Sequence, residues 1–200
     1  MRFMRGLVGL APIVALITGC QPQPAPPETP AKAEAASTPN QSPAERGKYL
    51  VTVGGCNDCH SPKTFGPNGP EVDMTKQLSG NPSTDKLPPV PKGLIGPMGF
   101  GTVANNHLTA WVGPWGVSYA MNLTPDKETG LGSWTPEMFV NAIRTGKHQG
   151  TGRPILPPMP WNWYRNMTDD DLKAVFAYLQ TLPPIKNPIP DPLPPDKVLR

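Results

Sequence analysis

Apolar residues recur at helical spacing in three stretches of the chain, each bracketed by residues that start and stop helices. In the first, Tyr49, Leu50 and Val53 follow Ser42, Pro43 and Glu45. A serine N-cap, a proline at the first helical position and a glutamate three residues after the serine form a capping box, and Gly54-Gly55 ends the run. In the second, Thr135 and Pro136 precede Phe139, Val140 and Ile143, and Gly146 stands where a left-handed C-terminal residue is wanted. The third is the clearest. Thr168 caps it, Asp169, Asp170 and Asp171 favour its positive end, and Leu172, Val175, Phe176 and Leu179 repeat at helical spacing before Pro183-Pro184 prevents continuation.

The rest of the 200 residues is dominated by breakers: thirty prolines and twenty glycines make up a quarter of the chain, against a usual share of roughly 12%. Residues 61–121 hold many of them, and an ordered wrap of loops with a short hairpin is expected there. The pattern divides the chain into four parts. Residues 1–19 carry a short basic start (Arg2, Arg5) and an apolar stretch from Gly6 to Thr18, shorter than the roughly 20 residues a membrane span needs, as in a secretory signal. The run ends Ile17-Thr18-Gly19-Cys20, which resembles the lipobox of bacterial lipoproteins and implies lipidation of Cys20. Residues 20–41, rich in Pro, Ala, Gln and Glu, have no apolar periodicity and read as a disordered tether with a reach of roughly 65 Å if extended. Residues 42–184 form the folded domain. Residues 185–200 are a proline-rich tail, laid over the surface or mobile.

Charge adds little. The formal net charge is +3, and without Arg2 and Arg5 it falls to +1, so the chain has no electrostatic footprint for nucleic acid. The hydrophobic share of 37% is low for an ordinary core, and a large apolar cofactor would compensate. Of the three cysteines, two lie in Cys56-Asn57-Asp58-Cys59-His60. This CxxCH spacing lets two sulfurs form thioethers with the vinyl groups of a haem while the next residue's imidazole lies under the iron. A zinc site would need about four ligands, and only His107 and His148 remain as further histidines. A redox CxxC would want a βαβ frame, which is absent. His107 and His148 are expected as surface or loop residues. No second haem motif and no internal repeat occur.

Three stretches then carry a resemblance to class I c-type cytochromes, the His/Met electron-transfer family, and within it to the cytochrome domains that serve periplasmic dehydrogenases. They are Arg46-Gly47-Lys48-Tyr49-Leu50 through His60; Asn122-Leu123-Thr124-Pro125-Asp126 with Thr129 to Trp134 and Arg144-Thr145-Gly146; and Pro157-Pro158-Met159-Pro160-Trp161 with Met167 to Leu172 and Ala177-Tyr178-Leu179. Residues 61–121 do not match a minimal cytochrome. The resemblance implies a mainly α cytochrome c fold, with three or more helices around one covalent haem c held by Cys56 and Cys59. It implies that the first and last helices cross at Gly47, against Phe176, Leu179 or Tyr178. It implies a proline carbonyl, from Pro67 or Pro70, as acceptor for the second His60 nitrogen, and Trp134 and Arg144 as propionate partners. The implied function is one-electron transfer between a redox donor and acceptor (a dehydrogenase, a terminal oxidase or reductase), by a periplasmic, lipid-anchored carrier that is not itself an enzyme. A peroxidase-like haem enzyme or a haem-based ligand sensor, each with an open distal site, is the alternative.

The second iron ligand is sought among Met74, Met98, Met121, Met138, Met159 and Met167. Met167 precedes the cap Thr168 and suits a hydrophobic staple against Leu172. Met138 falls in the first turn of its helix, and Met74, Met98 and Met121 lie in loops without a ligand frame. Met159 sits between Pro158 and Pro160, which stiffen the backbone around it and present its thioether at little ordering cost. Met159 is therefore the expected ligand beside His60.

Overall fold

The computed structural model describes residues 41–199. The expected signal peptide (1–19), Cys20 and the tether up to residue 40 lie outside the described residues. Five α-helices and five short strands are present among them: α1 (Pro43–Val53), α2 (Cys56–His60), β1 (Lys63–Gly66), β2 (Gly69–Val72), β3 (Val103–Ala104), β4 (Ala110–Gly113), β5 (Gly116–Tyr119), α3 (Pro136–Thr145), α4 (Trp161–Tyr164) and α5 (Asp169–Leu179). No described helix is long and apolar enough to cross a membrane.

The three long helices start as their sequences dictate. Ser42 and Glu45 exchange the reciprocal bonds of a capping box, Thr135 accepts from the Met138 amide, and Thr168 accepts from the Asp171 amide. Gly146 takes φ 66° at the end of α3. Helix α5 stops at Leu179, capped by Gln180, ahead of Pro183. Helices α1 and α5 cross with almost no space between them. A Cβ on Gly47 would lie 1.9 Å from the Ala174 carbonyl oxygen and 2.8 Å from the Tyr178 Cβ. Tyr178 is thus one of the expected partners, and the small residue Ala174 completes the crossing. Helix α3 packs on α5 through Phe139 and Phe176, whose ring centroids are 5.5 Å apart. Val51, Leu131, Ile143, Leu172 and Leu179 close the core.

Residues 61–121 contain more strand than expected. β1 and β2 form one antiparallel hairpin, and β3, β4 and β5 form a three-stranded antiparallel sheet. The β4–β5 turn is Pro114-Trp115, with Gly113 opposite Gly116 at φ 95°. This turn lacks the Asn-Gly or Asp-Gly signal from which a hairpin is read. The segment after residue 184 is tied to the body. Leu193 exchanges both backbone bonds with Val117, and Asn187 donates to the Ser79 and Asn81 carbonyls.

Candidate functional site

Gly54 ends α1, and Gly55, at φ 65°, turns the chain straight into α2. Its five residues are the CxxCH motif itself. Cys56 and Cys59 are free, partly buried and three residues apart on one helical turn. Burial pushes the Cys56 thiol up to about 11 and also raises that of Cys59, so both are protonated thiols at neutral pH.

His60 is buried, and its Nδ1 lies 2.8 Å from the Met121 carbonyl oxygen. A carbonyl only accepts, so Nδ1 carries the hydrogen and Nε2 presents a lone pair. Burial holds the ring's pKa below the usual histidine value, which keeps that lone pair free. The expected proline acceptors are not used. Pro67 and Pro70 belong to the exposed β1–β2 hairpin, which carries them away from the ring, and the chain returns to His60 at Met121. The amide of Gly80 donates to the His60 carbonyl at 2.7 Å. The Lys63 ammonium donates to the carbonyls of Asp58 (2.9 Å) and Ser61 (2.6 Å), closing the open end of α2.

Cys56, Cys59 and His60 line a cavity of about 320 Å³, within the size range of small-molecule and cofactor sites. Its walls are mostly apolar and come from every long helix: Leu50 and Val51 of α1, Phe139 and Ile143 of α3, Leu172 and Val175 of α5. The β-sheet adds Trp111 and Tyr119. Met159 lines the same cavity, as do Met121 and Met167, whereas Met74 is exposed and Met98 is 100% exposed. Trp134 is in the lining. Arg144 is not: its guanidinium donates to the Arg165 carbonyl and to Asp169, because the last turn of α3 faces the start of α5. The arginine in the lining is Arg153, with His148 beside it, and the His148 ring meets Trp134 edge-on at 5.1 Å. Both basic residues sit in the loop between Gly146 and Pro154. The basic side chains of that loop, Lys147, His148 and Arg153, leading to the Met159 segment, were the available signal for them. His107 lies away from the cavity, accepting the Lys63 amide hydrogen and facing Asp85.

This donor set suits a covalently attached haem. Two free thiols one helical turn apart, an imidazole with a fixed tautomer and a soft thioether border one apolar space. Among the described residues no group of three or more His, Cys, Asp or Glu is arranged to hold a metal ion directly.

No protein-family model matches the chain. The chain is similar to the fructose dehydrogenase cytochrome subunit of Gluconobacter japonicus, 29% identical over 194 residues covering 95% of this chain and 31% of that protein. It is similar to the gluconate 2-dehydrogenase cytochrome c subunit of Pantoea cypripedii, 30% identical over 139 residues, 70% of this chain and 23% of that protein. It also matches the cytochrome c subunit of the alcohol dehydrogenase (quinone) of Gluconobacter oxydans (strain 621H), 38% identical over 65 residues, 32% of this chain and 13% of that protein. These relatives support a c-type cytochrome. They imply haem c as the cofactor class. The chain spans well under half the length of the curated relatives it matches, from 8% to 36%.

Proposed function

We propose that this chain is an electron carrier with one haem c, attached through Cys56 and Cys59, with His60 and Met159 as axial ligands. In this reading it passes electrons from a dehydrogenase to a further redox protein, in the periplasm, held to a bacterial membrane through lipidated Cys20. The observation that carries the reading is the convergence of Cys56, Cys59, His60 and Met159 on one apolar cavity. The relatives' names, cytochrome subunits of dehydrogenases, support the choice of partner.

When bound, haem c supplies a one-electron couple whose potential a thioether ligand raises relative to two imidazoles. The residues of the chain do the rest. Cys56 and Cys59 would hold the haem as thioethers, the S–H of each thiol being available for addition to a vinyl group without an oxidant. The Met121 carbonyl fixes the His60 tautomer and strengthens the ring as a donor. The prolines around Met159 present its sulfur, and the apolar walls exclude water. Trp134, with His148 and Arg153, would provide N–H donors for the haem propionates. With His60 and Met159 both held toward the cavity, the protein would leave no iron position open for oxygen or peroxide, which separates this reading from a haem enzyme or ligand sensor.

Met159→Ala tests it. The ferric wild type has a far-red sulfur-to-iron charge-transfer band, and the variant lacks it, binds added imidazole or cyanide, and has a lower midpoint potential. A wild type with high-spin ferric haem and prompt cyanide binding would favour the enzyme or sensor. Acid–acetone extraction leaves one haem on the polypeptide, and free haem in the organic phase would exclude thioether attachment.

A further inference from the structure

One short segment touches both sides of the cavity. Ser118 of β5 is 6% exposed, and its hydroxyl donates to the Pro157 carbonyl at 2.5 Å, two residues before Met159. It accepts in turn from the Trp115 indole N–H at 3.2 Å. Three residues further on, the Met121 carbonyl accepts from His60. Tyr119 and Ala120, between them, line the cavity.

The loop that bears Met159 has little else to hold it. Pro157 and Pro158 have no N–H to donate, and among the described residues the Ser118 bond is the one hydrogen bond that reaches residues 156–159. The prolines stiffen the loop but do not tell it where to sit. Strand β5, by contrast, is fixed from several directions. It pairs with β4, with Trp111 opposite Ser118. Val117 is bonded to Leu193 in both directions, at 2.8 and 3.1 Å. The Asn81 amide donates to the Ala120 carbonyl at 3.0 Å, and Gly80 approaches so closely that a Cβ there would stand 2.6 Å from that oxygen.

We infer that Ser118 is a positioning residue for Met159, and that the segment 118–121 acts as a strut that sets the reach between the His60 and Met159 sides of the cavity. The inference rests on the proposed His60/Met159 ligation. It gives the residues 61–121, which a minimal cytochrome does not match, a role in the strength of the sixth ligand. The Ser118 hydroxyl is oriented for this. Its one proton goes to Pro157 and a lone pair takes the Trp115 hydrogen, so the indole polarises the hydroxyl toward the loop.

The experiment compares the holo forms of wild type, Ser118→Ala, Ser118→Thr and Trp115→Phe. Imidazole titration, the charge-transfer band and the midpoint potential are read for each. In Ser118→Ala the affinity for imidazole rises about tenfold, equivalent to 1.4 kcal/mol, the band weakens and the potential falls. Ser118→Thr keeps the hydroxyl and returns all three toward wild type. Trp115→Phe shifts them the same way as the alanine variant, by less. A Ser118→Ala protein with wild-type imidazole affinity and potential overturns the proposal while leaving the ligation intact. If that variant does not fold, wild-type imidazole affinity in Trp115→Phe overturns it instead. A wild type without the band, or a band that survives Met159→Ala, overturns the ligation on which the proposal stands.

Discussion

Gly47 sits where two cavity walls are fixed to each other, and Gly47→Ala turns that geometry into a number. The added Cβ would stand 1.9 Å from the Ala174 carbonyl oxygen, about 1.1 Å short of the 3.0 Å that real Cβ atoms keep. The obstacle is main chain, so no rotamer change relieves it, and α1 and α5 must separate or rotate. Overpacking of this kind costs about 1–3 kcal/mol, and a backbone obstacle belongs at the upper end. One effect opposes it: alanine is preferred over glycine within a helix by about 0.5–1 kcal/mol. The packing term wins, leaving a net loss of about 2 kcal/mol. For a domain of this size each kcal/mol lowers Tm by about 2–4 °C, so the variant melts about 4–8 °C lower.

The assay is thermal unfolding of the holoprotein by circular dichroism, with a guanidinium titration at 25 °C as a second measure. The same displacement moves Leu50 and Val51 relative to Leu172 and Val175, all of which line the cavity, so haem absorbance broadens as well. A Gly47→Ala protein as stable as wild type would refute the close crossing. In that event the helix-propensity gain would have won, which requires the helices to be free to part at no cost.

Three further outcomes are expected. Asn122→Ala removes a buried side chain that donates to the Thr129 hydroxyl and the Ile185 carbonyl and accepts from the amide and hydroxyl of Thr124. With buried groups left unpartnered it costs about 3 kcal/mol, read as a Tm loss in a thermal melt, and a variant within the error of wild type would contradict the network. Lys63→Met removes a positive charge beside Cys59 and His60 and so lowers the midpoint potential while retaining the charge-transfer band; an unchanged potential in voltammetry would show the charge to be too screened to matter. The proposed anchor predicts a mature N-terminus at a lipidated Cys20, and mass spectrometry finding an unmodified cysteine or a different cleavage point would remove the lipid anchor from the proposal.

What the sequence revealed about this protein follows the range of the forces involved. The caps at Ser42, Thr135 and Thr168 act over three residues, so the starts of α1, α3 and α5 are written locally. The CxxCH turn and the proline frame of Met159 are local too. The acceptor for His60 is 61 residues away, and its identity depends on where residues 61–121 return. Pro67 and Pro70 were reasonable only for a short connection, and the β1–β2 hairpin removes them from the site. Arg144 and Arg153 could not be separated by pattern, since what separates them is a carboxylate: Asp169, at the start of α5, engages Arg144. Ser118 carries no motif at all. Its significance comes from a contact with Pro157, 39 residues on, that only the folded sheet creates.

The same distinction explains how so proline-rich a chain stays ordered around the cavity. Its main apolar cluster comes from the helices with Leu78 and Leu131, while much of the long connection and the tail is joined by buried polar residues. Asn81 and Asn105 meet Thr109, Asn122 meets Thr124 and Ile185, and Asn187 spans Ser79 and Asn81. Among the described residues every buried side-chain nitrogen and oxygen has a partner. Such bonds contribute only about 1 kcal/mol each when made but cost more when one partner is lost, so the network specifies one arrangement more strongly than it stabilises it. Specification is what an axial site needs. A thioether is a weak ligand, and under the proposed ligation small displacements of the Met159 loop would change its hold on iron. The helices enclose the cavity, and the polar network locks the segment 118–121 in the one register that lets it touch both His60 and the Met159 loop.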